Sequence, residues 1–241
     1  MIYCTQRKIG VFLPPRNGSV STVKAFKSVS VTRNKHSHIN YTSAAEAFSE
    51  IEDFSSYKFY CFYRDPVQRF LSTFKLLKRS NVNYLLDKFF SPEDSKAALD
   101  TIKLEKYNRL VNMAIRHKDE YHWLSQELKD KLESVTIVQA LTLISDVHYS
   151  RADKTQMGTF TPQKHWMDHN IDLTLLDFAN FENQLKFLLS QFGVTVDSVP
   201  SLNASINLEN DQQLTLEETN IIKTAYQADY DFFASKGITF P

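Results

Sequence analysis

The sequence predicts a three-layer α/β fold on a mainly parallel sheet, and three observations carry that expectation. Apolar runs of strand length alternate with segments of helical periodicity along the chain. The run Phe59 to Tyr63 is apolar or aromatic at every position, as in a parallel strand covered on both faces, where a half-exposed strand would alternate. Arg64-Asp65-Pro66 follows that run, and Pro66 opens a pattern placing Val67, Phe70, Leu71, Phe74 and Leu77 on one helix face. With 241 residues and no linker-like stretch, the chain is expected to form a single domain over residues 1–241.

Taken in order, Ile9 to Leu13 reads as a short strand, followed by a Pro/Asn/Gly/Ser turn and a helix starting near Ser19 or Val20. "NKHSHIN" is polar and reads as loop, and Thr42 to Ile51 carries a short helical pattern. Ser91-Pro92-Glu93 starts a charged helical region extending to about Glu133, with no Gly and no internal Pro. Ser134 to Leu141, "SVTIVQAL", reads as a further strand; the polar stretch after it is too long for an ordinary connection. "IDLTLLDF" is a strand, Asn180 is placed to cap the helix "FENQLKFLLSQF", and Gly193 stops it. Thr215 and Glu218 form a capping box ahead of a last helix running through Ser235 and closed by Gly237.

Composition narrows the function. Lys+Arg and Asp+Glu both number 28, so the formal charge is zero and no global field favours nucleic acid or an anionic membrane. Any anion site is local. Cys4 and Cys61 lie in or beside apolar strands and read as inert core thiols, which fits a reducing compartment better than a disulfide framework. No run approaches the ~18 apolar residues of a membrane span, and the start lacks the apolar region of a signal peptide. A soluble, cytoplasmic protein without a metal site is expected.

Two constellations bear chemistry. In "LPPRNGSVST" (Leu13 to Thr22) a Gly-containing loop between strand and helix lets backbone N–H groups and short hydroxyls converge on a phosphate, although the same residues also suit a plain turn. It is not a Walker A loop, because Gly18 is followed by Ser19 and Val20 where Lys and Ser/Thr are required. The second is Arg64 with Ser72: a planar fork of donors at a strand end and a hydroxyl on the following helix suit phosphate oxygens, while Arg64 alone would equally suit a carboxylate partner. Both units can open on one sheet edge, where ligands of open α/β sheets bind. Together they suggest a ligand with two separated phosphate-like groups.

These residues resemble the carbohydrate-type sulfotransferases that use 3′-phosphoadenosine 5′-phosphosulfate (PAPS), in particular a soluble bacterial or virus-like branch. "YRDPVQRFLSTF" (Tyr63 to Phe74) is similar to that family's Arg-Asp/Glu/Asn-Pro-x-x-Arg-x-x-Ser-x-Tyr/Phe signature, which implies that Arg64 and Ser72 hold the 3′-phosphate. "PRNGSVS" resembles the loop around the 5′-phosphosulfate, implying that role for Arg16, Asn17, Gly18, Ser19 and Ser21. "HINYTSAAEAF", "YKFYCFYRDP", "FTPQKHW", "DFANFENQLKFLL", "VPSLNAS" and "EETNIIKTAYQADYDFF" resemble family segments in the same order, so the likeness spans almost the whole chain. It departs at Arg16, where many relatives carry Lys, at Val20, where Thr or Ser is commoner, and at "HINYTSAAE", one residue longer than the family spacing.

The resemblance implies a P-loop-like sulfotransferase fold, PAPS as cosubstrate, and in-line transfer of a sulfuryl group to a hydroxyl acceptor of saccharide type. Arg16 and the loop N–H groups would stabilise charge growing on the leaving phosphate. His38 matches the family histidine ahead of "YTSAAE" and is the expected general base, with Glu46 and His36 as alternatives. Gln163, His165 and Trp166 are expected to line the acceptor site, although Trp166 is equally suited to a core. The alternative is a nucleotide-binding or partner-binding protein that keeps the fold without turnover. A phosphotransferase is disfavoured by the missing Walker lysine and metal carboxylate.

Overall fold

The computed structural model describes residues 1–26, 32–33, 51, 53–80, 89–91, 93, 126–145, 160–167, 171–199 and 214–241. Among the described residues five strands form one sheet: β1 (Ile2–Cys4), β2 (Ile9–Phe12), β3 (Thr32–Arg33), β4 (Lys58–Tyr63) and β5 (Leu173–Asp177), in the order β3-β1-β2-β4-β5. β4 lies parallel to both β2 and β5, whereas β1 runs antiparallel to β2 and β3. The sheet is therefore mixed, with the parallel part on the side of β2, β4 and β5.

The apolar run of β4 is divided between two cores by the strand's period of two. Phe59 and Cys61 face one cluster with Phe12, Trp166 and Phe233, while Tyr60 and Phe62 face another with Val11, Leu185 and Leu188. Helices supply both faces: α1 (Ser19–Ala25) and α6 (Phe181–Gln191) on the second, and α5 (Lys164–Met167) and α8 (Gln227–Ser235) on the first. A third cluster gathers Val67, Phe70 and Phe74 of α2 (Pro66–Ser80) with residues of α3 (Gln126–Ser134), α4 (Ile137–Ser145) and α7 (Leu216–Ala225). Each fully buried Phe in it is worth roughly 1.5–3 kcal/mol of apolar transfer. Among the described residues, no helix is long and apolar enough to cross a membrane.

Several expectations need correction. The segment "SVTIVQAL" is not a strand: α3 ends at Ser134 and α4 begins at Ile137. Thr136 explains this, since the Gln139 backbone N–H donates to its Oγ1 at 3.2 Å and Gln139 Oε1 accepts from the Thr136 backbone N–H at 2.9 Å. That reciprocal capping box starts a helix and overrides the β-branched run. The short strands β1 and β3 were not anticipated. The last helix starts at the expected Thr215/Glu218 capping box but divides at Tyr226 into α7 and α8. Asn180 stands at the N-cap of α6 without bonding its backbone; its Oδ1 accepts from Asn183 Nδ2 at 2.8 Å instead. Gly193 ends that helix region at φ 78° as expected. The helical reading of residues 42–50, and of the middle region between Glu93 and Gln126, lies outside the described residues.

Gly10 fixes how closely β2 approaches β4. Its register partner is Phe59, and a Cβ on Gly10 would collide with the Phe59 ring. Gly10→Ala is expected to destabilise the protein by about 1–3 kcal/mol through overpacking, read as a lower urea midpoint at unchanged slope. An unchanged midpoint would show that the ring moves aside freely.

Candidate functional site

β2 and β4 run parallel, β2 ending at Phe12 opposite Cys61 and β4 two residues further on at Tyr63, so the loop Leu13 to Gly18 and the turn Arg64-Asp65 leave the sheet at the same end. Asp65 starts α2: the Gln68 backbone N–H donates to its Oδ1 at 2.8 Å, and Pro66 follows as the first helical residue. One turn further on, Ser72 sits buried on the side of α2 that meets the loop. Arg16 reaches it directly, donating from Nε at 3.1 Å and from Nη2 at 2.7 Å to Ser72 Oγ. Arg16 has φ 68°, in the left-handed region unfavourable to a side chain. The expectation that Arg64 and Ser72 open on the same edge as the Arg16 loop therefore agrees with the topology, and Arg16 stands closer to Ser72 than two separated subsites require.

Arg64 is half-buried, and its guanidinium carbon lies 4.9 Å from the centre of the Phe178 ring, a cation–π contact. Among the described residues its guanidinium makes no hydrogen bond or ion pair. Burial first, and then the Arg16 charge, draw it down to about 10 from its ordinary value, with Asp65 pulling the other way. It stays cationic at neutral pH. Two guanidiniums thus stand at one edge, close enough for the Arg16 charge to act on Arg64.

A buried polar network holds this edge. Asn17 Nδ2 donates to the Phe62 carbonyl at 2.7 Å and to Gln163 Oε1 at 2.8 Å. The Gln163 side chain brackets Arg64: Oε1 accepts the Arg64 backbone N–H at 3.0 Å, and Nε2 donates to the Arg64 carbonyl at 2.7 Å. Arg69, also buried, donates from Nε to the Pro15 carbonyl at 3.3 Å and from Nη1 to the Thr161 carbonyl at 2.9 Å. Asp229 of α8 accepts the backbone N–H groups of Gln163 at 2.9 Å and Lys164 at 2.8 Å. Burial raises the Asp229 carboxyl above its usual range, against the pull of those donors and of Arg69. Asn17 Oδ1, Arg69 Nη2, Thr161 Oγ1 and Trp166 Nε1 are buried without a partner among the described residues.

The sequence-predicted residues divide accordingly. Arg16, Asn17, Gly18, Arg64, Ser72 and Gln163 come together, but Asn17 Nδ2 and both ends of the Gln163 amide are committed to internal bonds. Gly18 caps α1 at φ 77°, where a Cβ would collide with the Phe181 ring, so it serves the turn and its packing. Ser19 and Ser21 are buried, while Val20 between them is exposed. Gln163 and Trp166 do not present a surface to an acceptor: Gln163 is fully buried, and Trp166 belongs to the sheet-face core. His165 is exposed. His38, with His36 and Glu46, lies outside the described residues. Both cysteines are free and buried, and burial pushes the Cys61 thiol up, away from reactivity.

Arg69 and Asp229 were not singled out from sequence. The available signal was a charged residue on an apolar helix face: Arg69 is followed by Phe70, and Asp229 stands between Tyr226 and Phe232. No family model, curated protein or solved structure matches the chain.

Arg69→Lys keeps the charge but loses the fork that spans Pro15 and Thr161. It is expected to cost about 1–3 kcal/mol, the penalty of an unsatisfied buried acceptor, measured by equilibrium urea unfolding. A variant as stable as the parent would assign Arg69 no bridging role.

Proposed function

We propose that the protein transfers a sulfuryl group from PAPS to a hydroxyl acceptor of the saccharide class, on a P-loop-like sulfotransferase fold. One observation carries this reading: Arg16, bonded to Ser72, and Arg64, within reach of the Arg16 charge, follow the carboxyl ends of two adjacent parallel strands. Like charges gathered there favour an anion between them. The motif likeness makes that anion a nucleotide bisphosphate, with Arg64 and Ser72 on the 3′-phosphate and Arg16 on the phosphosulfate side.

A phosphate or sulfuryl oxygen is a stronger acceptor than a hydroxyl. An incoming anion therefore exchanges the Arg16–Ser72 bonds for charge-assisted ones and frees the Ser72 hydroxyl to donate. In the reaction an acceptor oxygen forms a bond to sulfur as the bond from sulfur to the 5′-phosphate oxygen breaks. The electron pair stays on that phosphate, and the acceptor proton passes to a base, the role expected of His38. Arg16 stabilises the charge developing on the leaving oxygen, an interaction that strengthens toward the transition state.

A second reading, nucleotide binding without turnover, is favoured by the way Arg16 commits both Nε and Nη2 to Ser72. Labelled donor offered with a glycan panel separates the two. Transfer supports the enzyme, and tight binding of adenosine 3′,5′-bisphosphate with no transfer supports the binding protein. If the enzyme reading holds, Arg16→Ala is expected to lower kcat by roughly 10²–10³-fold.

Adenosine 3′,5′-bisphosphate is expected to raise the melting temperature more than adenosine 5′-monophosphate does. At about 100 times Kd the gain is roughly 2.7 kcal/mol, and Arg64→Ala is expected to abolish the difference between the nucleotides. Equal shifts in the parent protein would reject the nucleotide assignment.

A further inference from the structure

The final helix, with Tyr226 at its N-cap, presents polar groups to one side, and Asp229 and Tyr230 reach the candidate site. Tyr226, Asp229 and Tyr230 stand at i, i+3 and i+4, neighbouring positions on a helix surface. Tyr226 Oη donates to the Phe160 carbonyl at 2.7 Å. Asp229 holds the Gln163 and Lys164 backbone N–H groups, and Tyr230 Oη points to Asp65 Oδ2 at 3.4 Å. The helix itself is seated by Phe233, fully buried, whose ring centre lies 5.4 Å from that of Tyr63, the last residue of β4. It therefore touches the residues on both sides of Arg64 and, through Gln163, grips Arg64 itself.

The grip is geometrically strict. Gln163 pairs with both the N–H and the C=O of Arg64, as a strand neighbour would, and so orients the peptide planes on either side of it. The same Oε1 accepts from Asn17, tying the loop after β2 to the turn after β4. Among the described residues the Arg64 guanidinium makes no hydrogen bond and lies over the Phe178 ring, so the backbone has a large part in setting its direction.

We infer that Asp229, acting through Gln163, is a positioning residue for Arg64, and that the Tyr226/Asp229/Tyr230 face of the C-terminal helix fixes the spacing of the two anion-binding loops. As a statement about ligand preference this rests on the nucleotide reading above; as a statement about backbone position it does not. Neither residue touches the anion.

The test uses the full chain with adenosine 3′,5′-bisphosphate and adenosine 5′-monophosphate as probes. Gln163→Glu keeps the shape but sets an oxygen against the Arg64 carbonyl, and Asp229→Asn turns an amide NH₂ toward one of the two backbone N–H groups. Both are expected to lower the bisphosphate-to-monophosphate affinity ratio, by about tenfold in Gln163→Glu, the scale on which an orienting partner acts. They are also expected to speed amide exchange at Arg64. A merely structural role would lower the melting temperature and leave the ratio at the parent value, and that result overturns the inference. If neither variant folds, Tyr230→Phe decides by the same ratio, with a fall expected and an unchanged value overturning it. A parent protein with no preference between the nucleotides would sink the nucleotide reading instead. Arg64 exchange would then decide the positioning claim alone, with equal rates in parent and Asp229→Asn rejecting it.

Discussion

The parallel pairing of β2 with β4 is the constraint on which the remaining architecture depends. Because β2 and β4 are parallel, with Phe12 opposite Cys61, the chain leaves both strands in one direction, β4 two residues beyond that level. The loop carrying Arg16 and the turn carrying Arg64 therefore become neighbours although they are far apart in sequence. An antiparallel pairing would send them to opposite ends. Gly10 contributes to the same constraint, since its missing side chain is the space occupied by the Phe59 ring.

Bringing loops together at a sheet edge buries backbone groups that no ladder satisfies, and each such group needs a partner. Here side chains supply them. Asn17 serves the Phe62 carbonyl, Gln163 serves both polar groups of Arg64, and Arg69 serves the carbonyls of Pro15 and Thr161. A buried network of this kind specifies one arrangement because a half-satisfied alternative is costly. The interior of the site is thereby fixed, with Arg16 and Arg64 held at its edge.

Much of this frame was legible in the sequence. The unbroken apolar run of β4, the Asp65-Pro66 helix start and the Thr215/Glu218 capping box each carry a local physical signal, and each lies where it was expected. β1 and β3 are three and two residues long, too short for periodicity to register, and the turn between β1 and β2 places Lys8 at φ 52° where a glycine would have announced it. The misreading of α4 came from weighing Val135, Ile137 and Val138 as strand formers over the Thr136-x-x-Gln139 cap. Gln163 reads from sequence as open to an acceptor, because a polar residue in a loop reads as exposed until its partners are known; in the structure it is buried against Asn17 and Arg64. Asp229 was illegible for the same reason: its partners are backbone groups about 65 residues away, and no sequence pattern encodes a contact of that kind.

The gathering of Arg16 and Arg64 also has a kinetic side. The chain as a whole carries no net formal charge, so no long-range field draws an anion toward it. At physiological ionic strength the Debye length is about 8 Å, so the field of two guanidiniums fades within a short distance of the sheet edge. On the proposed reading, an approaching anion would sense the guanidiniums only on arrival, after diffusion has already delivered it there. Added salt should then act mainly on how long the anion stays and little on how often it arrives, the reverse of the pattern for a highly charged protein that steers its ligand from a distance.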